Sequence, residues 1–391
     1  MSATMSSMMA NATTGVAALS LAIWLYLLFG RGFFWCERPQ RVPAEPPRQP
    51  EIVAVIPARD EAATIGETVA SLLRQNYRGR LTIVLVDDHS SDGTGAVARA
   101  AACALDGSDR LTVVAARPLP AGWTGKMWAV AEGLRHVEAS STAELVLLTD
   151  ADIAHHPGNL AELVARIETD GLDLASLMVK LNCVTFAERA LIPAFVFFFA
   201  MLYPFAWVND PRRRIAGAAG GCMLIRRSAL DRIGGVASVR GALIDDCALA
   251  AQIKAGGKIW LGLAGETRSL RRYEGLGDIW RMIARTAYTQ LGYSPLLLAG
   301  TVLGLAVTYL APPILALGAG GAAAYLGAAA WLTMTIAFMP ILRVYRQKLL
   351  IAPLLPAIAS FYLAATIDSA RRHWQGRGGE WKGRVQQRGQ A

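Results

Sequence analysis

The sequence predicts an α/β domain on a mostly parallel sheet, with transmembrane helices at both ends of the chain. Residues 51 to 180 alternate β-rich apolar runs with amphipathic helical segments, the pattern of a parallel sheet covered on both faces. Residues 1 to 30 and Thr286 to Leu342 contain no charged side chain. Mean hydropathy is +0.34 over 391 residues, with 53% apolar and 18% charged residues. That excludes a disordered chain and is more apolar sequence than one aqueous core needs. The net charge of +9 fits a nucleic acid, an anionic membrane face or a phosphorylated substrate. Cys36, Cys103, Cys183, Cys222 and Cys247 form no CxxC pair. A secreted disulfide scaffold and a structural zinc site are therefore excluded, and a reduced, cytoplasm-facing domain fits.

The first element is an apolar run from Val16 to Phe29, followed by Arg31, Arg38 and Arg41. A secretory signal carries its positive charge before the apolar run and small residues after it. Here arginines and Phe33-Phe34-Trp35 follow, so the run reads as an uncleaved anchor with the downstream chain in the cytoplasm.

Strands are then expected at Ile52 to Ala58, Leu81 to Asp88, Leu111 to Ala116, Glu144 to Asp150 and Leu172 to Val179. Helices are expected at Glu61 to Gln75, Thr94 to Leu105, Lys126 to Glu138 and Pro157 to Glu168. In such sheets ligands bind at the carboxyl ends of strands. Three acidic clusters fall there: Pro57-Ala58-Arg59-Asp60-Glu61, Asp87-Asp88-His89-Ser90-Ser91-Asp92-Gly93, and Thr149-Asp150-Ala151-Asp152. Each alone has a bland reading as a helix cap or a chance pair. Together at one edge they predict a site for a nucleotide and a divalent metal, since paired aspartates offer hard oxygen ligands to Mg²⁺ or Mn²⁺. No GxGxxG follows the first strand, and Gly122-Trp123-Thr124-Gly125-Lys126-Met127 lacks the spacing of a phosphate loop, which excludes a nicotinamide enzyme and a Walker-type ATPase.

Further along, Ala190 to Asn209 is uncharged and rich in aromatics, with Pro193 and Pro204. It reads as a helix in the headgroup layer. Gly217 to Cys222 is small and flexible, suited to close approach of a ligand. Asp245 and Asp246 open a helical run, and Arg281 and Arg285 share a face of the next one. Two spans follow, about Pro295 to Leu317 and Ala322 to Ile341, joined by Gly318 to Gly321. Arg343, Arg346 and Lys348 then mark a cytoplasmic loop. The apolar run Leu349 to Ile367 is left open between a span and a re-entrant segment. A basic tail with Arg371, Arg372, Arg377, Lys382 and Arg384 ends the chain.

From about Glu51 to Arg285 these motifs resemble inverting family 2 glycosyltransferases of the GT-A fold. "PARDE" resembles the family's PxxNE opening, "VLVDDHSSDGT" its VDDxSxDGT motif, "TDAD" its DxD, "GKMWA" its lysine loop and "IDDCALA" its catalytic-base motif. "GWTGKMWA" and "RRYEGLGDIWRMIARTAYTQL" are similar to bacterial hopene-associated glycosyltransferases. The resemblance implies that Pro57, Ala58, Arg59, Glu61 and Lys126 line the nucleotide and that Asp87 or Asp88 contacts the base. It implies that Asp150 faces the ribose and diphosphate and that Asp152 ligates Mg²⁺ or Mn²⁺. It further implies that Asp246 is the base, beside Asp245, with Arg285 assisting the leaving group. The family's QxxRW keeps only its arginine here, in Met282-Ile283-Ala284-Arg285-Thr286, which speaks against processive polymer synthesis. The implied partners are a nucleotide sugar, with a UDP-sugar favoured, a lipid acceptor and a membrane, with no nucleic acid. The implied place is the bacterial inner membrane with the catalytic domain facing the cytoplasm. The expected organisation is an anchor and linker over 1–50, a GT-A domain over 51–285, a membrane region over 286–370 and a basic tail over 371–391. Two rival readings are a transferase of the same fold acting on polyprenyl phosphate and a non-catalytic nucleotide-binding scaffold.

Overall fold

In the computed structural model, residues 2–36 and 45–378 are described. Arg38, Arg41, Lys382 and Arg384, named above for their charge, lie outside them. The chain forms two compact units. One holds 45–182 and 207–272; the other holds 2–36, 183–206 and 273–378. The 51–285 stretch expected as one domain thus contributes residues 183–206 and 273–285 to the second unit.

The first unit is an α/β sheet domain. Its strands are β1 (Ile52–Ala58), β2 (Leu81–Asp87), β3 (Leu111–Ala115), β4 (Leu145–Leu148), β5 (Ile153–Ala154), β6 (Leu174–Lys180), β7 (Met223–Arg226) and β8 (Ile259–Ser269), in the order β3-β2-β1-β4-β7-β6-β8-β5. The apolar runs become strands because β-branched side chains pack well on a pleated, buried surface. β1 is buried over its whole length, as a central strand with both faces covered must be. Helices Ile65–Leu73 and Asn159–Asp170 place Val69, Leu72, Leu163 and Val164 in the same core as Ile56, Leu85 and Leu147. β1 pairs in parallel with β2, from Ile52↔Leu81 to Ala58↔Asp87, and with β4, from Ile52↔Leu145 to Val55↔Leu148. The three acidic clusters therefore leave the sheet at one edge, as expected.

The sheet is mostly, not wholly, parallel. β7 is antiparallel to both β4 and β6, so the strand expected as the fifth in a parallel row is separated from β4 by a reversed one. That reversal serves the site. Met223 pairs with Leu148, so the loop Gly217 to Cys222, which feeds β7, arrives at the edge where β4 delivers Asp150. The short β5 pairs antiparallel with the end of β8, and Leu270 N–H donates to Asp152 O at 2.6 Å.

The second unit is helical. Five segments among the described residues are long and apolar enough to cross a membrane: Met8–Gly30, Phe186–Val208, Pro295–Gly318, Gly321–Val344 and Leu349–Trp374. By length and composition Phe186–Val208 ranks with the others. Within it Pro193 is carried inside the helix Phe186–Leu202, and a second short helix, Phe205–Val208, follows. The segments 295–318 and 321–344 fold back on each other tightly. A Cβ on Gly327 would lie 2.9 Å from Pro312 O, so only glycine allows that approach. Trp331, in the middle of Gly321–Val344, donates its indole N–H to Pro353 O at 2.9 Å. Ala370 packs with Tyr288 and Leu298, beside the start of the helix that Pro295 opens.

Candidate active site

The first two loops of the sheet edge are stitched together. Ser90 Oγ accepts from Asp60 N at 3.0 Å, Thr94 Oγ1 from Glu61 N at 2.9 Å and Asp92 Oδ2 from Ala62 N at 2.8 Å. Asp92 Oδ1 also accepts from Thr94 N at 3.0 Å, so for Asp92 the bland reading as a turn-closing carboxylate holds. Asp60 and His89 both carry positive φ, strain of the kind that closely fitted loops hold in place. Asp87 is half-buried and accepts from Ser90 N at 2.8 Å. Asp88 is enclosed, 3.7 Å from Arg59 Nη1. Arg59 Nη1 donates to Asp88 O at 2.6 Å, while its buried Nε has no partner. Ala58 is buried and contributes its carbonyl to Asp88 N.

The other two clusters meet at a lysine. Thr124 caps the helix Gly125–Ser140, its Oγ1 accepting from Met127 N at 3.2 Å, which puts Lys126 in the first turn and aims it at the sheet edge. Its ammonium stands 2.9 Å from Asp150 Oδ1 and 3.4 Å from Asp245 Oδ2. Asp245 and Asp246 open the helix Asp245–Lys254, whose N-cap residue, Ile244, supplies no side-chain cap. Asp246 Oδ2 accepts from Gly220 N at 2.9 Å and its Oδ1 from Cys247 N at 2.7 Å. A Cβ at Gly220 would stand 3.1 Å from the Lys126 ammonium and 3.5 Å from Asp246 Oδ2, so a side chain there would crowd the lysine. Pro57, Asp150, Gly220, Asp245 and Asp246 line one cleft around Lys126.

The electrostatics separate the roles. Burial, reinforced by Asp245, pushes the Asp246 carboxyl up to about 6 against the opposing pull of Lys126 and two backbone amides. Burial, reinforced by Asp150, also pushes Asp152 up to about 6, with Glu61 adding to the rise and Arg271 and Lys126 opposing it. Burial pulls the Lys126 ammonium down, but Asp150 and Asp245 outweigh it and hold its pKa above the ordinary value. The sheet edge thus carries one cation that stays charged and two carboxyls, Asp246 in the cleft and Asp152 on the DxD turn, that resist ionising without further positive charge.

Among the described residues no three acidic, histidine or cysteine side chains form a ready-made metal cage. The donor set nonetheless fits a hard cation of the Mg²⁺ type, which binds through one or two carboxylates and completes its shell with water and substrate phosphate. Asp152 is a carboxyl lifted first by burial and then by Asp150 and Glu61, so a divalent cation there would offset both the lost hydration and the repulsion.

Asp87, Asp88, Arg59, Glu61, Lys126, Asp150, Asp152, Asp245 and Asp246 all belong to the sheet unit. Arg285 does not: it is exposed on the helix Leu276–Gln290 of the helical unit. Two contributors had no motif to announce them. The Gly220 amide holds the base candidate, and only the glycine-rich composition of its loop pointed there. Arg271 acts on Asp152, and nothing in the sequence marks it off from the neighbouring Arg268 and Arg272.

A mostly parallel sheet with acidic loops at its carboxyl edge and a base candidate on the following helix gives the sheet unit a GT-A-like α/β fold. Residues 53–234 match the family described as "Glycosyl transferase family 2". A probable glycosyltransferase, YdaM, of Bacillus subtilis is 28% identical over 48% of this chain and 43% of its own length. An N-acetylglucosaminyltransferase of Rhizobium leguminosarum bv. viciae is 27% identical over 43% of this chain and 39% of its own. The chain spans less than half the length of these curated relatives. Among solved structures, the mannosyltransferase PcManGT from Pyrobaculum calidifontis, in complex with GDP-Man and Mn²⁺, superposes with a TM-score of 0.56 at 21% identity. The match covers 93% of this chain and 99% of that one, a likeness of fold.

Proposed function

We propose that this protein is a membrane-bound glycosyltransferase that moves a sugar from a nucleoside-diphosphate sugar to a lipid hydroxyl, a hopanoid among the candidates, with inversion at the anomeric carbon. The single observation that carries the reading is Asp246: a carboxylate lifted to about 6, held by the Gly220 amide and facing a cleft lined by Lys126 and Asp150. A base with a pKa near the working pH combines a useful fraction of the ionised form with real proton affinity. The acceptor oxygen attacks the anomeric carbon as the bond to the diphosphate breaks, and Asp246 Oδ takes the hydroxyl proton. Lys126 and the half-buried Asp87 bind and orient the donor. Asp152, with Asp150 beside it, would hold the divalent cation, which supplies charge neutralisation for the departing diphosphate.

The membrane part of the reading is supported by the five apolar segments and by chain connectivity. β4 and β7 are neighbours in one sheet, yet Phe186–Val208 lies between them in sequence. That run must leave and re-enter on the same side of a bilayer, which fits a helix in the headgroup layer where a lipid acceptor would approach.

The test is incubation of the purified full-length protein, in lipid nanodiscs with Mn²⁺, with a panel of UDP- and GDP-sugars and extracted membrane lipids, read by mass spectrometry. A glycosylated lipid supports the reading. Intact nucleotide binding with no transfer to any lipid overturns it in favour of a non-catalytic scaffold.

A further inference from the structure

His155 follows the TDAD turn and is buried, and the mechanism above makes no use of it. Its Nε2 lies 3.0 Å from Thr149 Oγ1 and its Nδ1 lies 3.1 Å from Asn159 Nδ2. Thr149 has one hydroxyl proton, and it is donated to Gly221 O at 2.7 Å. Towards the imidazole Thr149 must therefore accept, so His155 carries its proton on Nε2, and the bare Nδ1 accepts from the Asn159 amide. Burial pulls the His155 pKa down to about 3, in keeping with a neutral ring. The result is a buried, one-directional chain of donors from Asn159 through His155 and Thr149 to the carbonyl of Gly221.

The chain ends on a dipeptide that the active site uses. Gly221 offers its carbonyl to Thr149, and the preceding Gly220 offers its N–H to Asp246. Thr149 is also the residue before Asp150, and its own N–H bonds β1 at Val55 O. The glycines have no side chains to hold them; the flanking residues are held from β6, where Ser176 Oγ accepts from Ala219 N at 2.9 Å and Leu177 N donates to Cys222 O at 3.0 Å, and the Thr149 hydroxyl adds a bond to the pair itself.

We infer that His155 is a positioning residue for Asp246: by holding Thr149 as an acceptor, it directs the Thr149 hydroxyl onto Gly221 and so fixes the Gly220 amide that orients the base. The same contact ties that amide to the strand end carrying Asp150, so base and donor-side acid keep one spacing. The inference rests on the reading of Asp246 as the base.

The test compares His155→Leu, which removes the ring donor, with His155→Gln, whose amide N–H reaches Thr149 from a similar position. Initial rates, nucleotide affinity and thermal unfolding are read on both. A misplaced reacting group costs about ten- to a hundredfold in rate, so His155→Leu should lose about that in kcat with donor KM within about twofold. His155→Gln should recover most of the loss. Equal losses in both variants, or a change confined to donor KM or melting temperature, would reduce His155 to a packing role and overturn the inference. If His155→Leu does not fold, Thr149→Val cuts the same chain at nearly constant volume and should show the same loss in kcat; unchanged kcat there also overturns it. Asp246→Asn, measured alongside, keeps the two failures apart. A near-normal rate in that variant removes the base assignment itself, whereas a dead Asp246→Asn with an unaffected His155→Leu removes only the positioning role.

Discussion

The Lys126 ammonium lies 2.9 Å from the Asp150 carboxylate and reaches Asp245 at 3.4 Å on its other side. One cation therefore joins the acid of the DxD turn to the acid beside the base candidate, two groups far apart in the chain. Both contacts form in a partly enclosed cleft, where a charge pair is screened less than at the surface. Removing the ammonium leaves the carboxylates unopposed. Lys126→Met should therefore raise the Asp246 pKa above about 6, because the pull that Lys126 exerts on it is lost. The acid limb of the rate profile should move to higher pH, and a limb that stays put would show that Lys126 does not act on the base.

Asp246→Asn is nearly isosteric and keeps an oxygen for the Gly220 amide, so nucleotide and metal binding should survive. What it loses is the ability to accept a proton, worth about 10²- to 10⁴-fold in rate. We expect turnover to fall at least about a hundredfold with donor affinity unchanged. Initial rates and calorimetric donor affinity decide it. A near-normal rate would point to an acceptor that needs no base, such as a phosphate.

The pH profile follows from the same carboxyl. Asp246 must be ionised to act, and its pKa is raised to about 6, so activity should climb as pH rises through that value. Asp245 is one of the causes of the rise. In Asp245→Asn a neighbouring negative charge is gone, ionisation of Asp246 becomes easier and the limb should move to lower pH, with a smaller loss of rate than in Asp246→Asn. An unshifted limb in Asp245→Asn would mean that the two carboxyls are not electrostatically linked.

Asp152→Ala should abolish Mn²⁺-dependent nucleotide binding, because water cannot replace an anionic ligand opposite a diphosphate. Nucleotide affinity measured with and without Mn²⁺ is the check. Metal-dependent binding that survives the substitution would make the turn structural.

Topology offers a prediction that needs no activity. Trp331 and Pro353 meet halfway along the helix Gly321–Val344, whereas Ala370 lies beside Leu298 near the start of the helix that Pro295 opens. The segment Leu349–Trp374 thus enters beside the middle of one helix and returns to the end it left. A re-entrant course would put Arg343 and Arg346 on the same side as Arg371 and Arg372, in line with the preference of basic residues for the cytoplasm. Reporter fusions after Pro50, Asp210, Arg271, Lys348 and Arg377 should all read cytoplasmic. Opposite signals at Lys348 and Arg377 would make the last segment a full span.

The strands were legible in the sequence because their apolar runs are continuous and bounded by turn residues; β1 runs from Ile52 to Ala58, as its pattern predicts. The acidic clusters were legible for a related reason: once the strands are parallel, everything that follows them shares an edge. Sequence alone also marked Asp245 and Asp246 as a pair with helix capping as the rival reading; the structure adds that Asp246 holds the Gly220 amide of a distant loop as well as the Cys247 amide of its own helix. Tertiary structure decided the remainder. The reversed direction of β7 brings Gly220 to Asp246, and pairing between β5 and β8 carries the chain that holds Arg271 to Asp152. It also decided that one lysine serves both acids, and that His155 is neutral and bonded on both nitrogens. Local sequence encodes which residues favour a strand or a helix, since that depends on side-chain shape and periodicity. Which buried polar groups satisfy one another depends on strand order and direction, which are settled only when distant segments compete for the same core.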